Sequence, residues 1–512
     1  MTARRGMVGG AIIIACGLGL ALLVRREYFR PQRDRLADAA AKVTPGIVYY
    51  GVMQGNRQVG FAQSQVDTTR DAITVADFFV ADLPVGGKAR RTSARMNATL
   101  SRALRVRAFD IAINAEGPPL RAGGHVEGDS VLVFALSMAG EKPDTQRLPL
   151  RGPVLLPQLV PLAVALTGSP KVGKRYVMPV FDPISMTAKD VELDVHAESS
   201  FVVDDSAVFD QATWRWHGTQ PATIRGWQVV AQNSATVFSG WIDAQGQIIE
   251  TTQLGFVLRR LPYLVALENW KADSRGSVSE DRDILETTAI AADKQMASRI
   301  DALKVRLSGV SLEGFDIAGQ QQTLIGDTLI IRRAPDNALA VADKLPYPMR
   351  DMENSRAEPM LQTRDPEILA LAQRLAGSER DARIVAERLN RWVYDSIGDR
   401  ITVGVPNALQ VLRSRTGDCN EHTQLFVALA RAIGLPARIA SGLAYVDGKF
   451  YYHAWPEVLL NDWVAVDPTF GQFPADAAHL RFIVGGLGRQ TELLRLMGNL
   501  EIDVLATNAA VR

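Results

Sequence analysis

Three short stretches near the C-terminus decide the reading: Thr416-Gly417-Asp418-Cys419-Asn420-Glu421-His422, Tyr452-His453-Ala454-Trp455-Pro456-Glu457-Val458, and Trp463-Val464-Ala465-Val466-Asp467-Pro468-Thr469. In the first, Asp418 is a natural N-cap. The apolar residues Leu425, Phe426, Leu429 and Ile433 follow at helical spacing, closed by Gly434 and Pro436. Cys419 then falls in the first turn of a helix, near the positive end of its dipole, a position that lowers a thiol pKa. A thiol nucleophile needs a base to take its proton, and the base needs a carboxylate to fix its tautomer and orientation. His453 and Asp467 supply those types, in order, on two strand-like stretches, Lys449–Leu460 and Trp463–Phe470.

Strand parity sets a condition on this triad. A strict two-residue hairpin loop at Asn461-Asp462 would turn His453 and Asp467 to opposite faces. A three-residue loop, or one bulge, puts His453, Trp455, Trp463 and Asp467 on one face. Ala454, Val458, Val464 and Val466 then cover the other, which is uniformly apolar. Singly, a lone thiol is usually a small buried hydrophobe, a histidine in a sheet is usually a packed one, and an aspartate before proline is a turn residue. The triad rests on their joint appearance behind a capped helix. His422, three residues beyond Cys419, and Glu421 read as packing and first-turn charge, and Trp455 reads equally as cleft wall or core. The Cys419 backbone N–H is the first oxyanion donor; Trp392, Tyr394 and Asn407 all remain open as the second.

Composition bounds the rest. The chain has 512 residues, 47% of them hydrophobic and 22% charged, which suits two or three folded units. A net charge of +1 with no basic cluster argues against a nucleic-acid partner. Of only two cysteines, Cys16 lies in an apolar N-terminal run, so no disulfide framework or multi-cysteine zinc site is available. No paired-histidine zinc motif or Asp/Asn-rich calcium loop is present, so neither metal nor cofactor is expected.

Gly6 to Val24 carries no charge and is flanked by Arg4-Arg5 and Arg25-Arg26. Its length is near the ~20 apolar residues a spanning helix needs, so residues 1–32 read as a single membrane anchor. The arginines after the run outnumber those before it. Taken literally this holds the bulk of the chain in the cytoplasm, although large domains cross largely regardless of charge.

Residues 33–270 read as a β-rich domain, a sandwich or half-barrel. Its strand candidates are Gly46–Val52, Ala103–Asn114, Ser130–Leu136, Gly226–Gln232 and Thr236–Asp243, with turns at Gly86-Gly87, Gly117-Pro118-Pro119 and Gly123-Gly124. Leu155–Gly168 reads as a buried helix, and Trp214, Trp216, Trp227 and Trp241 as core. Residues 271–355 read as a linker with a small β extension, 356–488 as the catalytic domain and 489–512 as a tail. Val385, Leu389, Trp392, Val393 and Ile397 mark a helix over Asp381–Ile397, and a shorter one covers Ala408–Arg413.

Together, Gly-Asp-Cys with its helix ending Ala-Ile-Gly-Leu-Pro-Ala-Arg, the Tyr-His-Ala-Trp-Pro-Glu-Val strand and Trp-Val-Ala-Val-Asp-Pro-Thr closely resemble the transglutaminase-like superfamily, especially its bacterial members, over roughly Pro366 to Gly488. The resemblance implies an α+β fold with a papain-like core, Cys419 as nucleophile, His453 as base and Asp467 as orienting acid. It implies attack on an amide of a peptide or protein substrate through a thioester, with hydrolysis favoured over cross-linking. By analogy with anchored bacterial members it places the catalytic region in the periplasm or outside the cell. A different class of function, a binding or assembly protein using the β-rich region with a degenerate scaffold behind it, competes with the enzyme. Oligomeric state is not legible.

Overall fold

The computed structural model describes residues 43–508, apart from residues 117–118, 129, 139–143, 168–169, 184–185, 233–238, 254, 274–283, 298, 320, 341–343, 348–353, 355–359 and 402–406. The apolar run 6–24, and with it the expected membrane helix, lies outside the described residues. Among the described residues no helix is long and apolar enough to cross a membrane.

The N-terminal region forms one antiparallel sheet of fourteen strands among the described residues. Eight run in sequence from one edge to the middle: β1 (Gly46–Gln54), β2 (Arg57–Thr68), β3 (Ala72–Val85), β4 (Lys88–Ser101), β5 (Val106–Asn114), β6 (Leu120–Glu127), β7 (Val131–Met138) and β8 (Asp144–Pro149). Six more form the other half: β9 (Arg175–Asp182), β10 (Thr187–Asp210), β11 (Arg215–Ala231), β12 (Gly240–Ile242), β13 (Ile248–Gln253) and β14 (Phe256–Leu261). The halves meet where β1 pairs with β14. The outer edges also approach each other, because the chain leaving β8 crosses to β9: Leu155 bridges Val180 in parallel, its N–H donating to Pro179 and its carbonyl accepting from Phe181. The sequence pattern had room for a two-sheet sandwich; a single curled sheet forms because each strand pairs with its sequence neighbour. At the β3–β4 turn, Gly86 and Gly87 both have positive φ, the two-residue hairpin geometry that matches strand twist.

Helix α1 (Val160–Leu166), preceded by a 3₁₀ turn over Pro157–Leu159, carries almost only apolar residues and is buried against the sheet's concave core. It is shorter than the helix expected from Leu155 to Gly168. Helix α2 (Tyr263–Asp273) covers the β1–β2 side. Of the four tryptophans expected in the core, Trp227 is buried, whereas Trp214 at the tip of the β10–β11 hairpin is 78% exposed.

The C-terminal half holds two smaller sheets. In one, β16 (Ala302–Ser308), β17 (Gln322–Ile325) and β18 (Thr328–Arg332) are joined by β25 (Glu501–Thr507), which lies in the segment expected as a tail. The other has the order β15 (Ile290–Ala291), β22 (Lys449–Leu459), β21 (Ala437–Val446), β24 (His479–Val484), with β23 (Trp463–Ala465) beside β22. A two-residue parallel ladder joins β19 (Gly398–Asp399) to β20 (Thr416–Gly417). Helices α3 (Pro366–Ala376), α4 (Ala382–Ser396) and α5 (Ala408–Ser414) surround α6 (Cys419–Ala432), whose other side lies on β21 and β22. Helix α6 is therefore buried nearly all round, and its burial fixes the position of its first turn.

Strand β25 buries Ile502 and Val504 in the core shared with Leu303, Val305 and Leu329. Removing residues 501–512 is expected to lower unfolding free energy by about 3–6 kcal/mol, at roughly 1.5–3 kcal/mol for each of these two side chains, read from urea unfolding of full-length and truncated protein. Equal stabilities would mean the segment is a dispensable tail.

Candidate active site

The first turn of α6 is built by a reciprocal cap. The Asp418 carboxylate accepts from the Asn420 N–H at 2.9 Å, and the Glu421 carboxylate reaches back to accept from the Asp418 N–H at 3.0 Å. Gly417 precedes the cap because a Cβ there would lie 2.2 Å from the Glu421 Cβ. The Gly-Asp-Cys order thus has a packing cause, and it holds Cys419 at the helix start.

His453 stands on β22, and the loop beyond that strand is the odd one the triad requires. Leu459 pairs with Trp463, and Leu460, Asn461 and Asp462 form a three-residue turn closed by the Leu460 N–H donating to the Asp462 carbonyl. Val458, Val464 and Val466 consequently enter the helical core, while His453, Trp455 and Asp467 share the opposite face. Opposite His453 on β21 sits Gly442, where a Cβ would meet the Leu480 carbonyl oxygen at 1.9 Å. That glycine lets β24 approach closely enough to deliver His479.

Asp467 is fully buried and all its acceptor capacity is used. Its Oδ1 accepts the backbone N–H groups of Thr469 and Phe470 at 2.7 and 3.0 Å. Its Oδ2 accepts from His453 Nε2 at 2.8 Å and from His479 Nε2 at 2.9 Å. Because an ionised carboxylate only accepts, both nitrogens must carry hydrogen; for His453 this leaves Nδ1 as the available ring nitrogen. His479 Nδ1 faces Asp476 Oδ1 at 3.1 Å, and Asp476 is tied in turn to Gln472 and to the Ala478 N–H. Phe470 stacks on the His453 ring, centroids 4.6 Å apart and planes 5° from parallel.

Burial and hydrogen bonding compete at every member. Burial alone would push Asp467 up, but His453 and His479 outweigh it and hold the carboxyl well below the usual carboxylate range. Burial alone would lower His479, but its two carboxylate partners raise it to about 9, so it is an imidazolium at neutral pH. Asp476 is likewise lowered, its burial being outweighed by His479.

Cys419 departs from the sequence expectation of a depressed pKa. Burial pushes the thiol well above its ordinary value, and Asp418 and Glu421 push the same way. Burial is the larger cause, and the two carboxylates that complete the helix cap also oppose the dipole end expected to favour a thiolate. The Ala454 backbone N–H, one residue past His453, donates to the sulfur and opposes them. The fold thus brings Cys419 against the His453 strand and within electrostatic reach of Asp467.

Other sequence candidates resolve differently. His422 is buried, with Nδ1–H donating to the Asp418 carbonyl at 2.7 Å, a packing role. Trp455 is buried edge-on to His479, centroids 5.1 Å apart. Among the oxyanion candidates, Asn407 Oδ1 caps α5 by accepting from the Gln410 N–H, Trp392 lies under the Arg415 guanidinium, and Tyr394 is 44% exposed. His479 and Asp476 were not singled out by sequence; the available signal was a histidine opening the strand His479-Leu-Arg-Phe-Ile-Val, three residues after an aspartate. His453, Asp467 and His479 place ligand atoms within 4.8 Å of one another. Yet the 2.8 and 2.9 Å separations at Asp467 Oδ2 are hydrogen-bond lengths. Ligands of a tetrahedral zinc, bonded at ~2.0–2.1 Å, stand ~3.3 Å apart.

Residues 369–468 match the family model described as the transglutaminase-like superfamily. The chain carries a transglutaminase-like domain. Among solved structures, the chain is similar to a candidate cysteine protease from Cytophaga hutchinsonii, at 14% identity over 42% of this chain and 78% of that one, with a TM-score of 0.27. A β-barrel-like protein from Brucella abortus aligns at 12% identity over 43% and 95%, TM-score 0.29. A candidate protease from Parabacteroides distasonis aligns at 10% identity over 79% and 63%, TM-score 0.19. No curated protein matches the chain. The transglutaminase-like domain spans α3 to the Asp467 turn, so Cys419, His453 and Asp467 lie within it and His479 lies just beyond.

The His479 charge has a measurable consequence for stability. Its folded pKa of about 9 lies above its ordinary 6.5. The stability it contributes is therefore fully present below about pH 6.5 and is lost as pH rises through about 9, a change on the order of 3 kcal/mol. Urea unfolding from pH 6 to pH 10 is expected to show this decline in the wild type and a flatter profile in His479→Gln. Parallel profiles would contradict a charged His479.

Proposed function

We propose that the chain is a cysteine-dependent amide hydrolase or acyl transferase, with Cys419 as nucleophile, His453 as general base and acid, and Asp467 as orienting carboxylate in a papain-like core. The observation that carries this reading is the His453–Asp467 hydrogen bond at 2.8 Å, which commits Nε2 to the carboxylate and leaves Nδ1 for the thiol. The Ala454 N–H on the sulfur supports the same juxtaposition.

Burial and the two cap carboxylates oppose a preformed thiolate, so in this reading attack is coupled to proton transfer. The sulfur adds to the amide carbon as its proton passes to His453 Nδ1, and the carbonyl electron pair moves to oxygen. The Cys419 N–H stabilises that oxyanion. Collapse expels the amine, which takes the proton back from Nδ1 and leaves a thioester. Water, deprotonated by the same nitrogen, then releases a carboxylic acid and regenerates the thiol; an amine in place of water gives a new amide. Asp467 stabilises the His453 imidazolium formed at each transfer.

Peptides or protein amides are the substrate class, with hydrolysis the favoured outcome. The apolar run 6–24 would tether the chain to a membrane with the catalytic region outside the cytoplasm, an assignment that a phosphatase active only after export, fused after Arg512, would support and a bright cytosol-only fluorescent fusion would refute. The raised thiol pKa is the one observation that favours the competing reading, a binding or assembly protein on a degenerate scaffold.

Digestion of a peptide mixture, followed by mass spectrometry, separates the two. Cys419→Ala is expected to abolish cleavage. His453→Ala and Asp467→Asn are each expected to reduce it on the order of 10³–10⁴-fold, with effects that do not add. Added hydroxylamine is expected to divert the thioester to hydroxamates. If Cys419→Ala cleaves as wild type does, the enzyme reading fails; if only His453→Ala and Asp467→Asn retain activity, the triad assignment fails.

A further inference from the structure

The concave face of the fourteen-stranded sheet forms most of an open cavity of about 750 Å³, which Leu494, Arg495 and Asn499 also line. That volume lies in the range of small-molecule sites, roughly 300–1,000 Å³. Strand register defines its wall. Ser64, Asp77, Met96 and Ile111 face one another across β2, β3, β4 and β5, and Ala62 and Phe79 form part of the adjacent row. All six line the cavity, and the 157–162 segment that opens α1 covers it.

Asp77 does not belong in that wall by patterning. The alternation that turns Val75, Phe79 and Met96 inward calls for an apolar residue at position 77. The side chain has Ser64 as a hydrogen-bond partner on one side, while its Oδ1 is enclosed with no partner. Burial raises its pKa to about 6, and no cation acts on it. Nearby positive groups are committed elsewhere. Arg260 pairs with Asp243 at 3.0 Å; Arg95 and Arg495 line the cavity but lie over the Phe78 and Phe315 rings. An ionisable group in a largely apolar wall, half satisfied, costs free energy that a bound donor would recover.

We propose that this cavity is a binding site for a single-chain amphiphile with a protonated amine head, the alkyl chain lying along the Ala62–Phe79 and Met96–Ile111 rows and the ammonium donating to the Asp77 carboxylate. The apolar majority of the wall suits the chain. Asp77, on which no cation acts, with Asp182 as a second carboxylate in the lining, selects a cationic head over an anionic one. The site is separate from Cys419 and owes nothing to cysteine chemistry, so Cys419→Ala should bind identically.

The test uses the full chain in lipid nanodiscs, with a ten-carbon alkylamine carrying a terminal photoreactive diazirine as probe and its carboxylate analogue as control. Labelled peptides are read by mass spectrometry. Saturable labelling of peptides from β2 to β5 by the amine is expected, with the carboxylate weaker by about tenfold, the ratio a charge-assisted hydrogen bond provides. Asp77→Asn, which keeps the side chain's shape, should remove that preference. Met96→Trp should block labelling by filling the cavity, and unfolding curves confirm that each variant is folded. Equal labelling by amine and carboxylate, labelling confined to other regions, or an amine preference that survives Asp77→Asn would overturn the proposal.

Discussion

The domain depends on one buried anion. Asp467 sits out of contact with water, and its charge is tolerable only because two imidazoles and two backbone N–H groups meet it at 2.7–3.0 Å. Remove any of these and an uncompensated carboxylate remains in the core, the costliest outcome for a buried ion. The geometry that satisfies the anion also orients His453. Its ring is pinned at Nε2 by Asp467 and held flat by Phe470, which leaves one rotamer and one tautomer. Orientation of the His453 ring is thus a by-product of satisfying a buried charge.

Two imidazoles on one oxygen do not act alike. His479, held by Asp476 on its far side, stays charged and supplies a fixed positive partner. His453 has Asp467 alone among carboxylates and keeps a nitrogen for chemistry. His453 is held in place by a strong hydrogen bond to the same oxygen. The cap of α6 acts on the thiol. Its carboxylates secure the helix start while offsetting the dipole.

Most of this site was legible because its determinants are local. The cap residues Asp418 and Glu421 adjoin Cys419, and the His453–Asp467 relation reduces to the parity of one hairpin, which the Leu460–Asp462 loop satisfies. His479 escaped because it arrives through pairing of β24 with β21, a contact no spacing rule announces. The thiol pKa was misjudged because burial and the direction of two carboxylates are three-dimensional facts. In the β-rich half, strand content was readable at β1, β5, β7 and β11, whereas β10 was missed although Val191, Leu193 and Val195 alternate with polar residues and are buried. The exposed Trp214 shows the same limit, since composition argued for core while a hairpin tip placed it in solvent.

The ionisation and tautomer pattern of the two histidines carries the central claim, and long-range proton–nitrogen correlation spectra of protein labelled at histidine read it directly. With six histidines in the chain, His453→Gln and His479→Gln assign the relevant signals. At pH 7.5 the account requires His479 to show both ring nitrogens protonated and His453 to show hydrogen on Nε2. A neutral His479, or a His453 neutral with its hydrogen on Nδ1, would contradict it.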